Sequence, residues 1–348
     1  MKPIEFSKTL LAWYQKNGRN LPWREDADPY KIWVSEIILQ QTRVAQGLSY
    51  YLRFMSRFPN VAVLAAADES EVLKYWEGLG YYSRARNLHQ AAQQIVARGA
   101  FPDTYEEIRK LKGIGDYTAA AIASFAFGLP HAVVDGNVYR VLSRYLGVDE
   151  PIDTTLGKKL FSKKAHELFD AFHAADYNQA IMDFGALQCV PKNPDCGICP
   201  FLHTCVAYKE GRVEDFPVKQ GKQTVRSRYF TFIYIEFDGR VAMWRRSSGD
   251  IWAGLCQPFL LEWEGSLPGE EALLTRLSAL LGYSVDTLKT LKNPVRQRLS
   301  HQLLHASFYV LSLAESPDPA CLPEGVFWVD REQVKQLAFP KMLINRWP

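Results

Sequence analysis

Four cysteines sit in one short loop with the spacing Cys189-x6-Cys196-x2-Cys199-x5-Cys205, while Cys256 and Cys321 stand apart. Four thiolates in one loop suffice to hold either a [4Fe-4S] cluster or a tetrahedral zinc ion. The N-terminus has no uninterrupted apolar stretch of the kind that marks a secretion signal, so the clustering favours metal ligation over a disulfide framework. A cytosolic protein without a membrane-spanning segment is expected.

Two carboxylates carry further chemistry. Glu36 lies in YKIWVSEIILQQTRVA, flanked by Trp33, Val34, Ile37, Ile38 and Leu39. Ser35 and Glu36 form the polar stripe of an amphipathic helix on one reading. On the other, desolvation raises the carboxyl pKa, so the group stays protonated near neutrality and serves as a general acid. Asp135, in HAVVDGNVYRVLSRYL, precedes a helical run, where Asp is a favoured N-cap. An ionised carboxylate there also suits stabilisation of a developing cation.

A third element is LKGIGDYTAAAI at residues 111–122, with Gly113-Ile114-Gly115 directly before a helix rich in small residues. Glycines permit a tight turn, and a helix start offers unpaired N–H groups to a phosphate. By itself the pattern is an ordinary helix–helix turn. No Gly-Lys-Ser/Thr follows, which argues against a nucleotide P-loop.

The scaffold implied by patterning has two parts. Residues 1–210 read as amphipathic helices between short Gly/Pro turns, as in VAVLAAADESEVLKYWEGL and AAAIASFAFGL. Residues 211–228 are polar and basic and read as a linker. In 229–348, RYFTFIYIEFDGRVAMWRR signals a hairpin with an Asp-Gly turn, HASFYVLSL and GVFWVD are strand-like, and EEALLTRLSALLG is helical. The expected architecture is an all-α domain followed by a smaller α/β domain. The formal net charge of +3 shows no basic block, so any phosphate-binding surface must come from local placement.

Taken together and in this order, the glycine hairpin, the Asp-Gly-Asn-Val segment and the cysteine loop resemble the MutY family of adenine DNA glycosylases, within the endonuclease III-like superfamily. The resemblance covers most of residues 5–210. It includes GRNLPWR at Gly18 to Arg24, LQQT at Leu39 to Thr42, GLGYYSRARNL at Gly78 to Leu88 and NQAIMDFGALQC ending at Cys189. It implies a helix-hairpin-helix at Gly113, Ile114 and Gly115 that holds DNA backbone phosphate. It also implies a [4Fe-4S] cluster on Cys189, Cys196, Cys199 and Cys205, braced for structure rather than redox work, with Lys192 as a phosphate contact.

Within the family pattern Glu36 protonates the leaving adenine at N7 and Asp135, supported by Asn137, faces the oxocarbenium-like sugar. Tyr117 stands where related lyases carry a Schiff-base lysine, so strand cleavage by elimination is not expected. Gln40 and Gln41 enter the duplex near the orphaned base, and Arg19, Trp23 and Gln179 shape the adenine pocket. Residues 229–348 resemble, more loosely, a nudix-like domain that recognises 8-oxoguanine, through GDIWAGLCQPF and RQRLSHQLLH. The family's Phe-Ser-His triplet is here Leu299-Ser300-His301, which lacks the aromatic wedge. Glu270 and Glu271 are the only adjacent glutamates in residues 229–348, so the glutamate-rich hydrolase motif is absent and pyrophosphohydrolase activity is not expected.

The expected function is monofunctional excision of adenine opposite 8-oxoguanine or guanine in double-stranded DNA, by a monomer. A strand-cutting lyase acting on oxidised pyrimidines, and a damage-binding protein without catalysis, are the rivals.

Overall fold

The computed structural model describes residues 3–221, 224–315, 322, 324–344 and 346; Cys321, noted above, lies outside the described residues. Residues up to 66 together with 87–221 pack as one unit, and residues 67–86 together with those from 224 onward pack as a second.

The first unit is helical. α1 spans Pro3–Asn17, α2 Pro29–Leu39, α3 Val44–Arg57 and α4 Val61–Ala66. α5 (Glu69–Tyr75) belongs to the second unit, and α6 (Ser83–Arg98) continues from it into the first. Then follow α7 (Tyr105–Lys110), α8 (Asp116–Phe127), α9 (Gly136–Leu146), α10 (Thr155–Leu168), α11 (Ala174–Leu187) and the short α12 (Val206–Lys209).

The boundaries follow local chemistry. Asp28 caps α2 by accepting from the Tyr30 and Lys31 amides, and Pro29 opens the helix with a φ already suited to it. α8 ends at Gly128, whose left-handed φ of 64° lets its N–H and that of Leu129 close on Ser124 and Ala123 carbonyls. The small residues Ala119, Ala120, Ala121 and Ala123 on α8 let α2, α7 and α11 approach it closely. α1, α9, α10 and α11 close around Phe6, Leu10, Val141, Leu142, Phe161 and Phe184, with Phe201 of the cysteine loop stacked on Phe6 at 4.7 Å.

The second unit is built on a sheet. β1 (Arg226–Phe237) and β2 (Arg240–Arg245) form the expected hairpin; Asp238 and Gly239 take φ of 47° and 70°, as a two-residue turn of this hand requires. β3 is Cys256–Gln257, β4 Phe259–Trp263, β5 Lys289–Arg298, β6 Gln302–Ser312 and β7 Val326–Asp330. The order is β3-β2-β1-β6-β5, with β4 also on β1 and β7 also on β2; β1 and β6 run parallel and the other pairs antiparallel.

Alternation along β1 sends Phe230, Phe232 and Tyr234 to one face, against Phe339, Met342 and Leu343. Ile233 and Ile235 go to the other, against Leu273, Leu277 and Leu281 of α13 (Glu270–Leu281). The sheet is therefore covered on both faces. β1 starts at Arg226, inside the stretch read from sequence as linker. Earlier in that stretch the Phe216 ring is buried, and the Val218 carbonyl accepts from the Ile152 amide at 3.0 Å.

Residues 67–86, helical by periodicity, are fixed to the sheet unit by long-range bonds. Tyr82 donates to the Phe339 carbonyl at 3.0 Å, the Phe339 amide to Glu77 at 2.9 Å, and Lys74 to the Leu337 carbonyl at 2.9 Å.

Candidate active site

A cavity of about 870 Å³ opens between the turn after α2, the start of α8, the start of α9 and the side of α11. That is room for a nucleobase with its sugar. Its wall carries Arg19, Trp23, Glu36, Gln40, Gln41, Tyr117, Asp135, Asn137 and Gln179 together, residues far apart in the chain.

Glu36 is only 7% exposed and Ser35 1%, so they are not a solvated stripe: Ser35 Oγ donates to the Ile32 carbonyl at 2.7 Å. Burial pushes the Glu36 carboxyl up to about 7. The Tyr117 hydroxyl donates to Glu36 Oε2 at 2.8 Å and pulls the other way, as does the Arg24 charge, whereas the Asp135 charge adds to the rise. Burial, and then the Glu36 and Asp135 charges, hold the Tyr117 phenol well above its ordinary value, so it remains a hydrogen donor.

Asp135 performs two tasks at once. Oδ1 accepts from the Val138 amide at 2.8 Å and caps α9, while Oδ2 accepts from Asn137 Nδ2 at 2.8 Å. Burial raises its pKa, and these hydrogen bonds oppose the rise. Asn137 is in turn fixed by Arg140, whose Nη2 donates to Asn137 Oδ1 at 2.9 Å and to the Gly185 carbonyl at 2.6 Å; its Nε donates to the Cys189 carbonyl at 2.8 Å. A Cβ at Gly185 would lie 2.6 Å from that of Asn137, so the crossing of α9 and α11 requires glycine.

Asp183, fully buried, binds the guanidinium groups of two residues that line the cavity, Arg19 and Arg24. Arg24 reaches it with Nη1 and Nη2 at 2.9 and 3.0 Å, and Arg19 with Nε and Nη2 at 2.9 and 2.5 Å. Burial raises the Asp183 carboxyl, but the Arg24 and Arg19 hydrogen bonds outweigh it and leave it below the ordinary value. Gln179 accepts from Tyr14 at 2.8 Å, and Trp23, 5% exposed, meets Tyr51 edge-on at 5.0 Å.

Gln40 reaches Thr118 Oγ1 at 3.3 Å, and Gln41 is exposed with φ of 60°, a left-handed backbone that a non-glycine residue adopts at a cost of about 1 kcal/mol. Sequence reasoning missed Arg24, Arg140 and Asp183. Asp183 carries the signal that found Glu36, a carboxylate inside the apolar run NQAIMDFGAL.

The hairpin before α8 turns at Gly113, with φ of 77° and no room for a side chain, since a Cβ would lie 2.5 Å from that of Asn87. Gln94 braces it by accepting from the Lys112 amide at 2.9 Å. Between the two glycines the Ile114 side chain is buried, and its N–H donates to the Leu111 carbonyl at 3.2 Å to close the turn. Gly115 caps α8, and the space its Cβ would occupy is open.

Cys189, Cys196, Cys199 and Cys205 line one pocket, whose walls also include apolar Val141, Phe184, Phe201 and Leu202 and polar Arg144, Gln188 and Asp195. Among the described residues no group of three or more His, Cys, Asp or Glu side chains is drawn together to hold a metal ion. The donor set still fits an anionic thiolate-ligated group. Arg144, 2% exposed, donates to Cys189 Sγ at 3.4 Å and otherwise only to carbonyls of Val190, Pro191 and Val213, with no carboxylate partner among the described residues. A buried guanidinium in that position needs negative charge beside it. Lys192 is exposed on the same loop.

In the second unit Leu299, Ser300 and His301 form the turn from β5 to β6, closed by the Leu299 amide on the Gln302 carbonyl at 2.8 Å. Leu299 is half-buried against the sheet core, so its side chain is engaged in packing; Ser300 and His301 are exposed. The Ser300 hydroxyl hydrogen-bonds the Tyr81 hydroxyl, a partner the sequence reading did not name. Among the described residues no helix is long and apolar enough to cross a membrane.

Residues 34–166 match the HhH-GPD superfamily of base excision DNA repair proteins, and residues 230–344 match the NUDIX domain. The chain is 35% identical over 311 residues to the adenine DNA glycosylase of Buchnera aphidicola subsp. Baizongia pistaciae, covering 88% of this chain and 85% of that one. It is 31% identical to the human adenine DNA glycosylase, over 94% of this chain and 70% of that one. Among solved structures, a thermostable thymine-DNA glycosylase superposes with a TM-score of 0.55 at 30% identity, over 60% of this chain and 97% of its own. A trapped endonuclease III–DNA covalent intermediate superposes with a TM-score of 0.51 at 22% identity, over 59% and 94%, which shows the same helical fold. With identity of this order sustained across both parts of the chain, the protein belongs to the adenine DNA glycosylase family.

Proposed function

We propose that this protein excises adenine paired with 8-oxoguanine or guanine in double-stranded DNA, by general-acid cleavage of the N-glycosidic bond without cutting the strand. The observation that carries the reading is the Glu36–Tyr117–Asp135 constellation on one cavity: an acid held protonated to about pH 7 beside a second carboxylate in a hydrogen-bonded cap.

The cavity is closed to a base stacked in a duplex, so the adenine must be flipped into it. There Glu36 gives its proton to adenine N7, which turns a poor anionic leaving group into a neutral base. The sugar becomes cationic as the bond breaks, and Asp135 lowers the energy of that charge. Asn137 and Arg140 fix the Asp135 carboxylate, and Asp183 fixes Arg19 and Arg24 on the cavity wall. Tyr117 holds the Glu36 carboxyl in orientation; a phenol cannot form the Schiff base through which a lysine would open the elimination route.

Gln40 and Gln41, on the turn beside the cavity, suit insertion into the duplex, and the amides of Gly113 and Gly115 suit a backbone phosphate. Cys189, Cys196, Cys199 and Cys205 would hold a [4Fe-4S] cluster, whose contribution is to brace the loop carrying Lys192. Ser300 and His301, exposed on their turn, would meet the oxidised base opposite the flipped adenine. A glycosylase assay on duplexes with a single A:8-oxoguanine or A:G pair tests the proposal. Adenine release with strand breaks appearing only after alkali supports it. Breaks without alkali would indicate a lyase, and tight binding without base release a damage-binding protein.

A further inference from the structure

We propose that the outer face of α10 is a second backbone contact for duplex DNA, extending the phosphate grip of the hairpin at Gly113 and Gly115; the proposal rests on the DNA-binding reading above. Between Thr155 and Lys164 this helix carries four lysines and no acidic residue, in a chain whose 41 basic and 38 acidic residues nearly balance. Gly157, Phe161, Ala165 and Leu168 are buried; Lys159 and Lys163 stand exposed on the opposite side, and Lys158 is exposed at the edge of the buried stripe.

The three lysines border an open depression shared with Asp116, the first residue of α8, so the basic face abuts the hairpin that would hold phosphate. The carboxylates bordering that depression are already paired elsewhere. Asp116 accepts from Arg109 Nε at 2.5 Å, and Glu167 from Lys164 Nζ at 2.8 Å, with Lys163 adding a weaker attraction to Glu167. Lys158 and Lys159 have no carboxylate partner among the described residues. From Lys158 to Lys163 the helix rises about 7.5 Å, at 1.5 Å per residue, so the three ammonium groups are spread along and around it rather than gathered at one point. Ammonium groups at this spacing beside a phosphate-binding turn fit a nucleic-acid backbone rather than a single anion.

The test is the salt dependence of binding, since each phosphate neutralised contributes about 0.9 to the slope of log K against log salt. Full-length protein and the combined variant Lys158→Gln, Lys159→Gln, Lys163→Gln are titrated with a fluorescent duplex of about 30 base pairs, with and without a central A:8-oxoguanine pair, between about 50 and 200 mM salt. The slope should fall by about 2 to 3 on both duplexes, so that the affinity advantage of the unmodified protein shrinks roughly 15- to 60-fold across that range. A fall of less than about 1 overturns the proposal. The corresponding triple arginine variant keeps the charge and must keep the original slope; a loss there would show that packing of α10, not its charge, was disturbed, and would equally overturn it. If the unmodified protein releases no adenine, the functional reading fails while the slope comparison still stands.

Discussion

Replacing Glu36 with glutamine should stabilise the folded protein, and by an amount that depends on pH. A carboxyl raised from its ordinary 4.5 to about 7 binds its proton more tightly when folded than when unfolded. Between those pH values the folded state therefore holds more protons, and stability must fall as pH rises. The rise of about 2.5 units is worth about 3 kcal/mol at 1.36 kcal/mol per unit, and the whole deficit is present above pH 7. Glutamine has no charge to desolvate, and its carbonyl can still accept from Tyr117. Unfolding in urea, followed by tryptophan fluorescence at pH 5 and pH 8, measures the difference. Glu36→Gln should gain about 2.5 kcal/mol more over the unmodified protein at pH 8 than at pH 5, where part of the deficit is already present. An offset that is the same at both pH values would mean that Glu36 is not buried as a neutral acid, and the argument for its role would fall with it.

Asp183→Asn should destabilise the protein by about 3 to 5 kcal/mol at pH 7, because it strands the half-buried Arg24 and Arg19 charges; equilibrium unfolding measures it. Tyr117→Phe removes a hydrogen bond that lowers the Glu36 pKa, so the alkaline limb of the excision rate should move to higher pH, read in single-turnover pH profiles. Asp135→Asn should change stability by less than about 1 kcal/mol, since asparagine caps a helix about as well, yet slow excision roughly 100- to 1,000-fold; unfolding with loss of little activity in the folded fraction would make Asp135 structural.

Much of this architecture was legible because it is local. Helical spacing up to residue 210, the Asp-Gly hairpin and the period-2 alternation of β1 each follow from a few neighbouring residues. Glu36 was legible because a carboxylate in an apolar run has few places to go, and Asp183 carried the same signal unread. What the chain did not disclose depends on distant partners. Arg140 matters through Asn137, Gly185 and the Cys189 carbonyl, contacts that only the crossing of α9 and α11 creates. Residues 67–86 look like more of the helical half until Tyr82 and Glu77 are seen bonded to Phe339. β5 escaped notice because its pairing with β6 is broken by irregularities between Thr290 and Val295, near Pro294, and it lacks clean alternation.

The central claim is that Glu36 delivers the proton that releases adenine, and the most direct test is the single-turnover rate on an A:8-oxoguanine duplex measured as a function of pH. The rate should fall about tenfold per unit above a pKa near 7, with the limb absent and the rate roughly 100- to 10,000-fold lower in Glu36→Gln. A rate that stays level from pH 6 to pH 9, or a glutamine variant that excises at near-normal speed, would contradict it.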